Sequence, residues 1–251
     1  MSKFWEELSE LHRRTLHDVG YEWVRSSSIA NRYFTEVKKD TSGAIHQLYE
    51  TLTRKGIPVD VEDPLYGNPF SIQRDGKNVT QDLCHSLEEV RSISQGIDLH
   101  TIQSVVEIGA GYGRTAYALL KKYPHLKYTI VDIEPALGIA QHYLNATLDN
   151  PPITFLHPTE IDGLTADLFI SISLFDELTP QEIDAYFGAV DRGGKYFYYK
   201  CQKHWQNEVD HMLIGDDYPN RARWNKVYHR ECLLSPNFFE TLYEIRGTRQ
   251  S

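Results

Sequence analysis

Glycines stand at every second position in "EIGAGYGRTA", at Gly109, Gly111 and Gly113, directly after an apolar run that ends in Glu107. Such a turn lets the backbone pass close to a ligand, because glycine has no side chain in the way. A dinucleotide would need the order GxGxxG, whose last glycine permits close packing beneath a pyrophosphate. Here that position is Arg114. An acid followed by GxGxG suits instead a ligand without phosphate that carries a cationic, zwitterionic amino-acid part. A second acid, Asp132, closes the next apolar run in "YTIVDIEP". Its two carboxylate oxygens can accept hydrogen bonds from two neighbouring hydroxyls.

The elements that must hold these residues follow from periodicity. From Ser104 the strands "SVVEIG", "KYTIVDI", "ITFLH", "ADLFISISLF" and "GGKYFYYK" alternate with the helices "GRTAYALLKKYP", "PALGIAQHYLNAT" and "TPQEIDAYFGAV". Thr179 caps the last of these and Pro180 opens it. Alternation of this kind implies parallel pairing through right-handed crossovers, hence an α/β doubly wound sheet of the seven-stranded, Rossmann-like type. Ligands then sit at the carboxyl ends of the strands, where the strand order reverses. In the tail, "RWNKVYHREC" reads as a strand, and "NFFETLYEI" as either helix or strand.

Upstream, residues 1–100 read as a helical N-terminal cap and 101–251 as the ligand-binding domain. "FWEELSELHRRTL", "SSIANRYFTEVKK" and "AIHQLYETLTRKG" carry helical spacing, and "GIPVDVEDPLYGNPF" is a loop. Thr80 caps "QDLCHSLEEVRSI", with Leu83, Leu87 and Val90 as its buried stripe.

The 251 residues carry a net charge of -9, which repels phosphate backbones and argues against a broad nucleic-acid surface. No apolar stretch approaches the ~20 residues needed to span a bilayer. The N-terminus has no apolar signal block, and the three cysteines, Cys84, Cys201 and Cys232, lack metal-like spacing. The expectation is a cytoplasmic protein that dimerises through the apolar cap helices.

"EIGAGYG" resembles motif I of the class I S-adenosylmethionine-dependent methyltransferases. That resemblance implies that the glycines pass the methionine portion and that Glu107 orients it. It also implies that Asp132 holds the ribose hydroxyls and that Ile133 packs beside the adenine. Pro158 and Thr159 would lie at the adenine edge, with Ser173 and Gln81 as further cofactor contacts. A wider resemblance runs from Leu65 onward through "LYGNPFSIQRDGKNVTQDLCHSLEEVRSI", "VDIEPALGIAQ", "LFDELTPQEIDAYF" and "SPNFFETLYEI". These blocks are similar to the sugar O-methyltransferase family, and in outline to mycobacterial enzymes that methylate mannosides. The resemblance implies transfer to a saccharide hydroxyl, in polysaccharide or glycoside decoration.

A sugar hydroxyl is a weak nucleophile and calls for a general base or an acidifying metal. Asp176 and Glu177 follow the fourth strand, where a base or a magnesium ligand (Asp176) is placed, although both also suit dipole compensation for the next helix. His204 follows the fifth strand in "KCQKHW", beside Lys200 and Gln202, which are acceptor-binding candidates. Tyr66, Gln81 and His85 flank the expected cleft; His85 reads first as packing of its helix. Arg221, Arg223 and Trp224 in the tail are candidates for acceptor contacts. His142 reads as structural. Rival readings keep the cofactor with a phenol, carboxylate or amine acceptor, or make the chain a non-catalytic cofactor-binding subunit.

Overall fold

The run "SVVEI" is buried at all but its first position, as a strand covered on both faces must be. It forms the middle of the sheet in a computed structural model that describes residues 3–26, 42–203, 205–207, 212–214 and 221–246. The order of elements begins with α1 (Lys3–Val19), a 3-10 turn (Tyr21–Ser26), α2 (Ser42–Arg54), β1 (Ser71–Arg74), β2 (Lys77–Thr80) and α3 (Gln81–Gly96). The alternating region follows as β3 (Ser104–Ile108), α4 (Arg114–Lys122), β4 (Lys127–Val131), α5 (Ala136–Thr147), β5 (Ile153–Leu156), β6 (Ala166–Ile172), α6 (Pro180–Gly193) and β7 (Gly194–Gln202). A short hairpin of β8 (Trp205–Asn207) and β9 (Met212–Ile214) precedes β10 (Trp224–Glu231) and β11 (Phe238–Ile245).

The seven-stranded sheet has the order β10-β11-β7-β6-β3-β4-β5. From β5 through β7 the neighbours are parallel, and β11 lies antiparallel between β7 and β10. The strand order reverses at β3, between β4 and β6, so the glycine turn leaves the sheet at its switch point. This is the Rossmann-like α/β sheet that the alternation implied.

"NFFETLYEI", readable either way from sequence, is a strand because both of its faces are covered. Phe239, Tyr243 and Ile245 join the core on the α6 side, and Leu242 joins the core on the α3 and α4 side. Thr179 caps α6 as expected, with Glu182 returning the bond to the Thr179 N–H at 3.0 Å.

The cap is less purely helical than its periodicity suggested. Residues 71–80 form a hairpin turned by Asp75 and Gly76, both at positive φ (49° and 75°). The Asp-Gly pair is the sequence signal for such a turn. "SSIANRYFTEVKK" lies outside the described residues. Cap residues Val24, Ile45 and Leu52 share one continuous apolar core with Val105, Tyr198 and Leu242 of the sheet.

Arg25 pins the cap from within. Its guanidinium, 1% exposed, makes a bidentate pair with Asp63 at 2.9 and 2.8 Å and reaches Asp82 at 3.4 Å. It also lies over the Tyr112 ring, 5.0 Å from the centroid, so the cap touches the glycine turn itself. No helix among the described residues is long and apolar enough to cross a membrane.

Candidate active site

The three glycines of the turn adopt φ of +75°, +58° and +90°, a region that side chains rarely tolerate. Their surroundings differ. A Cβ on Gly109 would meet Leu174 at 2.8 Å, and one on Gly113 would meet Leu144 of α5 at 2.7 Å. A Cβ on Gly111 would meet nothing within 4 Å. The outer glycines therefore let the turn seat against its neighbours, while the middle one keeps a space open.

Asp132 borders that space. Its carboxylate accepts from the Gly111 N–H at 2.9 Å and from the Ile133 N–H at 2.8 Å. Burial pushes the carboxyl up to about 7, while the two N–H bonds pull the other way. Glu107 is also raised by burial to about 7, opposed by the Tyr128 hydroxyl that donates to it at 2.8 Å. An open glycine cradle beside two buried acids fits a cofactor with a diol and a cationic amino-acid end. The residues present suit S-adenosylmethionine.

Pro158 and Thr159 lie in a 3-10 turn after β5, where the His157 ring bonds the Thr159 hydroxyl at 3.1 Å. Ser173, at φ +55°, donates its N–H to the Lys200 carbonyl at 2.8 Å and so links the ends of β6 and β7. Gln81 is the half-buried first residue of α3, behind the Thr80 cap. Tyr66 extends its hydroxyl to His142 on α5 at 2.5 Å, and Tyr21 stacks on the same imidazole at 4.0 Å.

Asp176 and Glu177 lie with Phe175 in a buried 3-10 turn ahead of α6. Asp176 accepts from the Gln202 N–H at 3.5 Å, tying the end of β7 to the segment after β6. No group of three or more His, Cys, Asp or Glu side chains among the described residues could hold a metal ion. His204 lies outside the described residues.

Four acceptor candidates have other employment in the fold. Trp224 is buried, stacked on Phe187 with centroids 5.2 Å apart, and donates its indole N–H to Asp191 at 2.8 Å. Arg221 pairs with Asp184 at 2.6 Å, and Arg223 pairs with Asp191 at 3.0 Å. Lys200 is only 4% exposed and bonds Glu88 and Glu89 of α3, each at 3.1 Å. A buried ammonium needs such partners, which is why it points under α3 and not toward an acceptor.

Sequence reasoning missed what α3 does here. Asp82 accepts from the Tyr112 hydroxyl at 2.6 Å, while Ser86 and Glu89 hold Arg114 at 3.0 and 2.6 Å. Glu88 also accepts from the Leu234 N–H at 2.7 Å. One helix thus joins the glycine turn to β7 and the β10–β11 loop. Acidic residues beside an apolar stripe give no sequence signal for burial, because charges default to the surface.

Residues 63–170 match the model of an O-methyltransferase domain. An S-adenosylmethionine-dependent methyltransferase from Leishmania major is similar in fold, with a TM-score of 0.50 at 18% identity over 63% of this chain and 70% of that one. The StiE O-MT segment gives a TM-score of 0.50 at 15% identity, over 67% of this chain and 76% of that one. No curated protein matches the chain. With the sheet order, the glycine cradle and the domain match over residues 63–170 taken together, the chain has the class I methyltransferase fold and reads as a methyltransferase enzyme.

Proposed function

We propose that the protein transfers a methyl group to a hydroxyl of a sugar or glycoside. The match of residues 63–170 to an O-methyltransferase domain supports oxygen as the acceptor atom. The saccharide is supported by the blocks from Leu65 onward that resemble the sugar O-methyltransferase family.

In this reading Asp132 receives the ribose hydroxyls, and Gly111 leaves room for the cofactor backbone. Glu107 faces the amino-acid end, with Pro158 and Thr159 at the adenine edge. S-adenosylmethionine supplies the activated methyl group. The chain supplies alignment, because an in-line displacement needs acceptor oxygen, methyl carbon and sulfur on one axis. The glycine turn fixes the donor side. The ends of β6 and β7, tied through Ser173 and Asp176, form the side from which the acceptor approaches. Residues 1–100 cover that edge as a cap on the binding domain.

The test is release of S-adenosylhomocysteine from purified protein across mannosides, other glycosides, nucleotide sugars, phenols and carboxylic acids. Turnover confined to saccharides is the expected result. Turnover confined to phenols or carboxylates overturns the sugar. Running the panel with and without magnesium decides whether a metal belongs at Asp176.

A further inference from the structure

His85 occupies the place on α3 where the two halves of the site meet. Asp82, Ser86 and Glu89 on one side of the helix hold the glycine turn through Tyr112 and Arg114. Glu88 and Glu89 hold Lys200 near the end of β7. His85 falls between these rows, since residues three and four apart share a helix face. The glycine turn and the end of β7 both lie on the carboxyl edge of the sheet.

The histidine is also oriented. Its Nδ1 is buried and faces Glu88 Oε2 at 3.8 Å, with no hydrogen-bond partner among the described residues. The side chain is 14% exposed, so part of it still reaches open space. Glu88 itself is fixed by Lys200 Nζ at 3.1 Å and the Leu234 N–H at 2.7 Å. Burial works against its ionisation, but His85, Lys200 and the Leu234 N–H hold the carboxyl down at about 2. A histidine backed by an anchored carboxylate is the arrangement by which a general base is oriented and its charged form stabilised. A gap of this kind often tightens only when substrate is bound.

We propose that His85, oriented by Glu88, is the general base that deprotonates the acceptor hydroxyl. Nδ1–H turns onto Glu88, and Nε2 takes the hydroxyl proton. The oxygen's electron pair forms the bond to the methyl carbon, and the sulfur–carbon bond breaks with its electrons passing to sulfur. The imidazolium, balanced by Glu88, then returns its proton to solvent. The charged groups that face the ring are Glu88 and Glu89 of α3, and each is itself paired, Glu89 with Arg114 and both with Lys200. This assignment rests on transfer to oxygen and not on that oxygen belonging to a sugar.

The test compares wild type with His85→Gln, using methyl α-mannoside and the far more acidic 4-nitrocatechol as acceptors. A general base contributes about 100-fold or more to a weakly acidic hydroxyl and little to one already ionised. The expected result is a fall in kcat of at least about 100-fold on the mannoside but under about 10-fold on the catechol, with S-adenosylhomocysteine affinity unchanged. The wild-type dependence of kcat on pH should flatten in the variant, and Glu88→Gln should show a smaller loss of the same pattern. Equal losses on both acceptors overturn the proposal. So does an acidity-dependent loss in His204→Gln or Asp176→Asn with His85→Gln unaffected. If wild type methylates only the catechol, the sugar reading fails, and retained kcat in His85→Gln after lowering the pH to keep that phenol protonated overturns the base. If neither acceptor is methylated, 15N spectra of the imidazole decide. Nε2 unprotonated and shifted by S-adenosylhomocysteine supports the assignment, and Nδ1 unprotonated overturns it.

Discussion

Arg114 and Glu89 form a two-point ion pair, at 2.6 and 2.9 Å, at the position where a dinucleotide turn would carry its last glycine. The arginine that argued against a phosphate-binding turn is thus a strut from the turn to α3. Glu89 is fully buried and is held ionised by Arg114 and Lys200 against the effect of burial. Arg114→Gly restores the GxGxxG spelling but leaves that carboxylate short of a partner. Loss of one partner of a buried pair costs about 3–5 kcal/mol. Urea denaturation should show that loss, and calorimetry should detect no nicotinamide dinucleotide binding in the variant.

Gly111 and Gly113 should separate affinity from stability. Alanine at 113 combines φ +90° with a 2.7 Å approach to Leu144, so it should destabilise by about 1–3 kcal/mol. Alanine at 111 meets no neighbour and carries only the left-handed backbone cost of about 1–2 kcal/mol. Its methyl group, however, enters the space beside Asp132. Gly111→Ala should lose at least about 10-fold in S-adenosylhomocysteine affinity by displacing ligand, against little change in Gly113→Ala once folded. Titration calorimetry beside thermal melts checks both.

The glycine turn and the strand-end acid beside it were legible because their signals are local. Three glycines, a strand-end acid and a periodicity that switches between two and 3.6 all lie within "SVVEIGAGYGRTAYALL" and "YTIVDIEP". The acceptor side depends on partners distant in sequence. Lys200 and Trp224 look like ligand contacts until the fold brings Glu88, Glu89 and Phe187 to them. The Arg25–Asp63 pair joins residues on either side of α2, and nothing in "YEWVRS" marks its arginine for burial. The β1–β2 hairpin could have been read from Asp75–Gly76, but its strands are too short to outweigh the surrounding helical trend.

Asp132 should link stability and cofactor binding to pH with opposite signs. Its folded carboxyl titrates near about 7, above the ordinary value of 3.8, so between these the folded state holds a proton that the unfolded chain releases. Stability therefore falls as pH rises through that window. Asp132→Asn stays neutral, so its stability relative to wild type should increase between pH 5 and pH 8. A diol bonds the ionised carboxylate, so cofactor binding should release protons near pH 6 and tighten as pH rises through about 7. The variant should bind about 10- to 100-fold more weakly, the worth of a charged hydrogen bond. Calorimetry in buffers of different ionisation enthalpy measures the proton release.

Arg25 should prove to serve two purposes that a double variant can divide. Arg25→Met leaves Asp63 buried without its bidentate partner, at a cost of about 3–5 kcal/mol. Arg25→Met with Asp63→Leu removes both charges and should recover most of that stability, because a buried pair replaced by apolar groups is often neutral. It cannot restore the cation over Tyr112, whose hydroxyl bonds Asp82 beside the glycine turn. Such a contact is worth about 0.5–2 kcal/mol. The double variant should therefore melt near wild type yet bind S-adenosylhomocysteine several-fold more weakly. Full recovery of affinity would mean that Arg25 serves the cap alone and that Tyr112 holds its place without it.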